Sequence, residues 1–412
     1  MKKRLLSVGI ALVLGASCFG CGKTATTSSK EDTRTVEVIE ENSTTSNESI
    51  ITTEKVTEPS KGEAAETEAS TETNKNIVED GCTYYVSSTG TILNAGETIP
   101  SVENNDKYVT REYEYIYSNE SKGWKVSVID KSKTTYGEIL SSIAGKSVTD
   151  MSGTFDGCSN LTTAPKIPSS VTNMSGTFAY CSSLTTAPEI PTNVINMYGT
   201  FWGCSSLTTA PEIPFGVTDM SKTFVWCSSL ITAPKIPASV TNMSSTFGNC
   251  SSLTTASEIS FGVTNMHATF SGCSSLTTAP EIPSSVTNMS ITFYECSSLT
   301  TAPEIPSSVT DMSSTFERCS SLIVAPEIPS SVTDLSYTFR LCSSLTTAPE
   351  IPTSVTDMSS TFVCCFSLTG TIVINANPER YTFCFNQVDF EAQNITLAGT
   401  STMLEQLKAT VD

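Results

Sequence analysis

Between Val148 and Leu368 the apolar residues recur with a period of 23. In the copy that opens at Leu184, LTTAPEIPTNVINMYGTFWGCSS, the positions that barely change from copy to copy are Leu184, Ala187, Ile190, Val194, Met197, Phe201 and Cys204. Phenylalanine returns at 155, 178, 201, 224, 247, 270, 293, 316, 339 and 362, always after threonine and with no insertion or deletion. A strict period in this range is the signature of a solenoid, in which each repeat buries its apolar side only by stacking on its neighbours. The near-constant positions are therefore the predicted core, with Ala187 leaving room where the turn narrows.

Polar and special residues divide each copy. Leu184 to Ala187 is the predicted strand, pairing in parallel with the same segment of the next copy. Pro188, which recurs as Pro165, Pro211, Pro234, Pro280, Pro303, Pro326 and Pro349, has no N–H to give to a ladder and ends that strand. Pro191 and its equivalents keep the following residues extended. Asn or Asp then alternates at one position (173, 196, 219, 242, 265, 288, 311, 334, 357). Both carry a short acceptor oxygen, which predicts the N-cap of a brief helical or 3₁₀ turn over Met-Ser-x-Thr-Phe.

The flanking segments differ. Lys2, Lys3 and Arg4 precede a short apolar run from Leu5 to Ala16, which predicts a secretory signal over 1–21. Its ending, GASCFGCGK, resembles a bacterial lipoprotein signal, which implies lipid attachment at Cys21, or at Cys18 in its place. Residues 22–80 are Thr, Ser, Glu, Ala and Lys without an aromatic residue, the composition of a disordered tether. Within 81–147, alternation at Tyr113, Tyr115, Tyr117 and at Trp124, Val126, Val128 predicts a β-hairpin. Thr135 to Glu138 reads as a capping box opening a short helix that stops at Gly145. This unit is expected to cover the open end of a solenoid spanning 148–368. Residues 369–412 are expected to be a decayed repeat and a C-terminal cap, with a strand from Ile395 and a helix from Thr402 bearing Leu404 and Leu407.

Candidate chemistry adds little. Ten of the 15 cysteines (158, 181, 204, 227, 250, 273, 296, 319, 342, 365) hold one repeat position. Their side chains point the same way in successive turns, so free core thiols are expected. Cys82 and Cys364 stay unassigned. With a spacing of 23 and one histidine, His267, no metal site is expected at these thiols. The glutamate column at 189, 212, 258, 281, 304, 327 and 350, interrupted by Lys166 and Lys235, reads as a solvated row, with a calcium-binding row as the alternative. No nucleophile and base or paired carboxylates rise above the periodic background, so neither catalysis nor a cofactor is expected. A net charge of −19 argues against nucleic acid.

Recognition must come from positions where the copies differ. Variation concentrates between Ser and Thr-Phe, and at the two residues before Cys. In copies two to four these and the bend supply Tyr180, Tyr198, Trp202, Phe215 and Trp226, the candidate binding surface. Packing of these rings over neighbouring turns is the competing reading. Later copies offer Tyr294, Arg318, Tyr337 and Arg340.

The phrase LxxAxxIPxxVTxMxxTFxxCSS resembles the bacterial leucine-rich repeats of the BspA-like surface protein family, with FxxCSSLT its most specific part. The resemblance covers roughly 148–368 and implies a leucine-rich repeat solenoid of short parallel strands and short helical or 3₁₀ turns, to which the flanking segments add an α+β N-terminal cap, a C-terminal cap and a disordered tether. It further implies a secreted or surface-attached binding protein. With the N-terminal signal, the expectation is a lipid-anchored monomer at the cell surface that binds an extracellular protein, a glycan or other cells. A surface spacer without a ligand is the alternative.

Overall fold

The computed structural model describes residues 84–94, 97–99 and 101–411. The signal-like segment, Cys18, Cys21, the 22–80 linker and Cys82 lie outside them.

The described chain opens as a seven-stranded sheet. Its strands are β1 (Tyr84–Val86), β2 (Ile92–Leu93), β3 (Lys107–Val109), β4 (Tyr113–Ser118), β5 (Gly123–Val128), β6 (Ser142–Ile143) and β7 (Lys146–Asp150), in the order β2-β1-β3-β4-β5-β7-β6. The predicted hairpin is β4 and β5, antiparallel with Tyr115 opposite Val126. Alternation places Tyr113, Tyr115, Tyr117, Trp124 and Val126 in the core, and the Trp124 indole N–H donates to Ile143 O at 3.1 Å. Strand β5 pairs in parallel with β7, and Asp150 at the end of β7 bridges to Asn173. The sheet thus runs into the first coil.

The helix expected after Thr135 does not form. The hairpin's side chains take its backbone instead: Glu112 accepts from the Gly137 N–H, Tyr113 Oη donates to Gly137 O at 2.7 Å, and the Leu140 N–H donates to Tyr115 Oη at 3.1 Å. A helix would have to break these bonds. The segment carries Tyr136 against Phe155, ring centroids 5.1 Å apart.

In the repeats the expected strand shrinks to a single bridged residue per coil, and the Asn/Asp position adds a second parallel column. One joins Thr186, Thr209, Thr232, Thr255, Thr278 and Thr301; the other joins the Asn/Asp position from Asp150 to Asp357. Proline on one side and a turn on the other leave no room for a longer ladder.

The predicted helical turn is also replaced. Asn196 Oδ1 does accept the Tyr198 N–H at 3.0 Å, the N-cap bond expected. Beyond it, N–H groups alternate between two destinations. Thr200, Trp202 and Cys204 bond back within their own coil, to Met197 O, Gly199 O and Phe201 O, while Gly199, Phe201 and Gly203 bond forward to Ser221 O, Thr223 O and Val225 O of the next coil. A helix would keep all of these bonds to itself. Two left-handed residues per coil enforce the alternation, Gly199 (φ 57°) and Gly203 (φ 74°) here, Lys222 (φ 58°) and Trp226 (φ 63°) in the next.

Inward, the predicted core is in place: Leu184, Val194, Met197, Phe201 and Cys204 are fully buried, and Ile190 nearly so. Ala187 only packs against the core's rim. The phenylalanines form one column from Phe155 to Phe385, successive rings parallel within 11° and 5.3 to 5.9 Å apart between centroids. At this spacing the stack is offset, the favourable arrangement. Phe385 carries the column one coil past Leu368, where Cys384 replaces the buried threonine and Val388 the cysteine. Strands β8 (Gly370–Val373) and β9 (Ile395–Ala398) then pair in parallel. The last helix, α1 (Leu404–Lys408), starts two residues later than the sequence suggests, with Met403 at its N-cap and Leu407 buried.

Threonine before each phenylalanine is a core residue absent from the predicted set. Thr246 is fully buried, and its hydroxyl lies 2.7 Å from Met243 O and 3.0 Å from Met220 O of the preceding coil. It fastens one coil to the next. Thr149 offers the opposite case: its Oγ1, pressed where Gly123 passes, is buried with no hydrogen-bond partner. Thr246→Val is expected to cost about 1 kcal/mol by losing the hydroxyl's coil-to-coil bond, since Met243 O and Met220 O keep the N–H groups of Thr246 and Thr223, and Thr149→Val to cost nothing or stabilise. Urea unfolding of both variants checks this; equal losses would contradict it.

Candidate binding surface

Left-handed backbone geometry explains why the two most variable positions of the copy are variable. The first runs Gly199, Lys222, Ser245, Ala268, Ile291, Ser314, Tyr337, Ser360; the second runs Tyr180, Gly203, Trp226, Asn249, Gly272, Glu295, Arg318, Leu341. A positive φ favours Gly and Asn and costs other residues roughly 1 kcal/mol. Apart from the buried Ser360 and Cys364, side chains here leave the coil outward, so their identity answers to something other than core packing.

In copies two to four that freedom yields an aromatic group. Tyr180 and Trp202 lie 5.7 Å apart between centroids. The Lys222 ammonium sits over both Tyr198 (5.4 Å) and Trp202 (5.6 Å) and donates to Tyr198 Oη at 3.0 Å. Tyr180 leans over Gly203, where an added Cβ would meet its ring at 2.9 Å, and Trp226 stands at the equivalent position of the following coil. Tyr180 and Trp226 are about half exposed (51% and 56%), Tyr198 is exposed and Trp202 half-buried. The sequence did not reveal Lys222 as the group that joins the rings, although a cation between aromatic residues is a readable signal.

Phe215 belongs elsewhere. Among the described residues it is the most exposed large apolar side chain, at 85%, and it lines a groove with Lys235, Ala238 and Phe261 on the proline side of the coils. Nothing in the Tyr180 group lines that groove. The later candidates are engaged with one another: Arg318 pairs with Glu295 (2.9 Å) and lies over Tyr294, and Arg340 pairs with Glu317 (2.7 Å) and lies over Tyr337.

The cysteine column is buried and unbridged throughout its ten positions. From Cys181 onward each thiol donates to the carbonyl of the phenylalanine 26 residues earlier, as Cys204 does to Phe178 O at 3.1 Å. Burial pushes the Cys204 thiol up to about 12 and its successors well above the ordinary range. Cys364, also buried, donates to Gln387 Oε1 at 3.1 Å. A thiol needs to ionise to react, so these serve packing and coil-to-coil bonding.

Stacked coils of one length, a parallel bridge column and an inward leucine in every copy define a leucine-rich repeat solenoid. A family model described as BspA type leucine-rich repeat region (6 copies) matches residues 146–254 and 266–391. The chain belongs to that family. Among solved structures, a leucine-rich repeat protein from Bacteroides ovatus is similar over 71% of this chain and 76% of its own, with 20% identity and a TM-score of 0.52. A leucine rich cell surface protein from Faecalibacterium prausnitzii aligns over 74% of this chain and 98% of its own, with 19% identity and a TM-score of 0.45. No curated protein matches.

Alkylation at pH 8 followed by peptide mapping checks the thiol assignment. Peptides bearing Cys204, Cys227 and Cys250 are expected to stay unlabelled in the native protein and to label fully in denaturant; native labelling would place them at an accessible surface.

Proposed function

We propose that this is an exported protein held to the outer face of a bacterial membrane by lipid on Cys21, or on Cys18, and that it acts in adhesion or recognition. Its partner is a host matrix protein, a glycan or another cell. The tether over 22–80 holds the repeats away from the membrane, and the 84–150 sheet and the 369–411 region close the two ends of the column. The reading assigns no catalysis and no cofactor, and the protein acts as a monomer.

One observation carries it. Tyr180 and Trp226 occupy a left-handed position that other copies fill with Gly, Asn, Glu, Arg, Leu or Cys, and both are half exposed; Tyr180 packs near Trp202, which shares Lys222 with Tyr198. Packing does not require an aromatic residue there, since Gly203 and Gly272 hold the same backbone without one. Aromatic groups with a polar tip on a rigid face supply contact area at little entropic cost, the usual anchor of a recognition surface.

The test is to apply the full chain, and its Trp202→Ala/Trp226→Ala variant, to arrays of matrix proteins, glycans and fixed cells. Saturable capture by the native chain and at least tenfold weaker capture by the variant, at unchanged melting temperature, is expected. Capture nowhere would favour the surface spacer. Loss of folding in the variant would make the tryptophans packing residues.

A further inference from the structure

The serine directly before valine is structural in most copies. It donates to the valine carbonyl one coil earlier: Ser239 to Val217 O, Ser285 to Val263 O and Ser308 to Val286 O, each at 2.6 Å. Three copies give this bond up: in one Asn193 donates to Ser169 O instead, and the other two use the same dipeptide, Phe215-Gly216 and Phe261-Gly262. Glycine allows the backbone to come close: a Cβ on Gly262 would stand 2.6 Å from Ala238 O. The phenylalanines it accompanies are 85% and 78% exposed. A local rule broken twice in the same way, with apolar rings placed in water, marks a functional site. The 255–265 stretch that carries Phe261 is also where the match to the family is interrupted.

The two rings border one groove of about 590 Å³, with Pro237 and the small Ala238 between them and Lys235, Glu258 and Glu281 along it. A smaller hollow of about 270 Å³ continues it on the other coil beside Phe215, with Pro211, Pro234 and Glu212. The volume suits a bound side-chain cluster.

Spacing selects the shape of the occupant. Parallel coils lie roughly 4.8 Å apart, so residues two coils apart are about 10 Å apart. A polyproline II helix advances about 3.1 Å per residue with three residues per turn, and so presents one face every ~9.3 Å. A β-strand presents one face every ~6.8 Å and falls out of step. Chemistry selects the composition. Three carboxylates (Glu212, Glu258, Glu281) surround one ammonium (Lys235), which favours a cationic ligand. A glycan would need partners for many hydroxyls, whereas the lining is mostly Phe, Pro, Ile and Ala, and the Ser260 hydroxyl already donates to Pro237 O at 2.9 Å.

We propose that the groove between Phe215 and Phe261 binds a proline-rich, basic peptide segment in polyproline II conformation. Prolines three residues apart pack against the two rings over Ala238, and an arginine or lysine between them meets Glu258 and Glu281. The inference rests on the recognition reading and assigns it a peptide ligand on a face separate from the Tyr180 group.

Fluorescein-labelled (Pro-Pro-Arg)₄ titrated with the full chain tests it by anisotropy, beside labelled (Gly-Ser-Arg)₄ and with unlabelled cellohexaose as competitor. Phe215→Ser and Phe261→Ser place at exposed bend positions the residue that positions 169, 284, 307 and 330 carry, and leave Gly216 and Gly262 in place, so folding is expected to be kept, with melting as the check. Saturable binding of the proline peptide, at least tenfold tighter than of its glycine-serine counterpart, is expected. Each serine variant should weaken it tenfold or more, Trp226→Gly should not change it, and cellohexaose should not displace it. No saturable binding, equal binding of the two peptides, insensitivity to both serine variants, or displacement by cellohexaose would overturn the proposal. Cell or matrix capture that needs Trp202 and Trp226, without peptide affinity, would sink this inference and leave the adhesion reading intact; peptide binding without such capture would do the reverse.

Discussion

The coil-to-coil hydrogen bond of the turn segment is the interaction on which everything else depends. A 23-residue coil of turns and single bridges cannot satisfy its own buried backbone, because it contains neither a helix nor a ladder of useful length. It meets the need by sending every second N–H forward, as Phe201 does to Thr223 O and Phe247 to Thr269 O. Threonine and cysteine reinforce this from the side-chain direction, reaching back to carbonyls of the previous coil, as Thr246 does to Met220 O and Cys250 to Phe224 O. An inserted residue would put donors opposite donors along the whole seam. That is why the period never varies across ten copies.

The same constraint explains where variation is allowed. Donors and acceptors that hold the seam belong to the backbone and to the inward Thr, Cys and Phe, so the outward residues at the two left-handed positions and at the bend contribute little to it. Tyr180 and Trp226 occupy left-handed positions, and Phe215 and Phe261 occupy the bend. Stability and recognition are thereby carried by separate sets of residues on one coil.

Much of the fold was legible in the sequence, for a reason particular to repeats: stacking makes each inward position visible ten times over. Phe201, Cys204 and Met197 could be placed in the core on recurrence alone, and the Tyr113–Val128 hairpin on its alternation. Thr200 recurred just as faithfully, but a polar residue gives no hydrophobic signal, and its burial depends on carbonyls that only stacking supplies. The helix expected at Thr135 failed because Glu112, Tyr113 and Tyr115, distant in sequence, capture its backbone. The helical turn over Met197 to Phe201 failed because positive φ angles at 199 and 203 cannot be read where the residues are Lys, Trp or Arg. Within the candidate surface, Tyr180, Tyr198 and Trp202 came together through neighbouring coils. Phe215 did not, since sequence proximity to the aromatic group says nothing about which side of the coil a bend residue faces.

The most direct measurement of the separation between scaffold and surface is the melting temperature of a fivefold variant carrying Tyr180→Gly, Trp202→Ala, Phe215→Ser, Trp226→Gly and Phe261→Ser. The account predicts a melting temperature equal to or above that of the native chain, because two left-handed positions gain glycine and no seam bond is lost, each gain being on the order of 1 kcal/mol. A fall of roughly 10 °C or more, equivalent to several kcal/mol in a chain of this size, would show that these rings hold the coils together and would contradict the account.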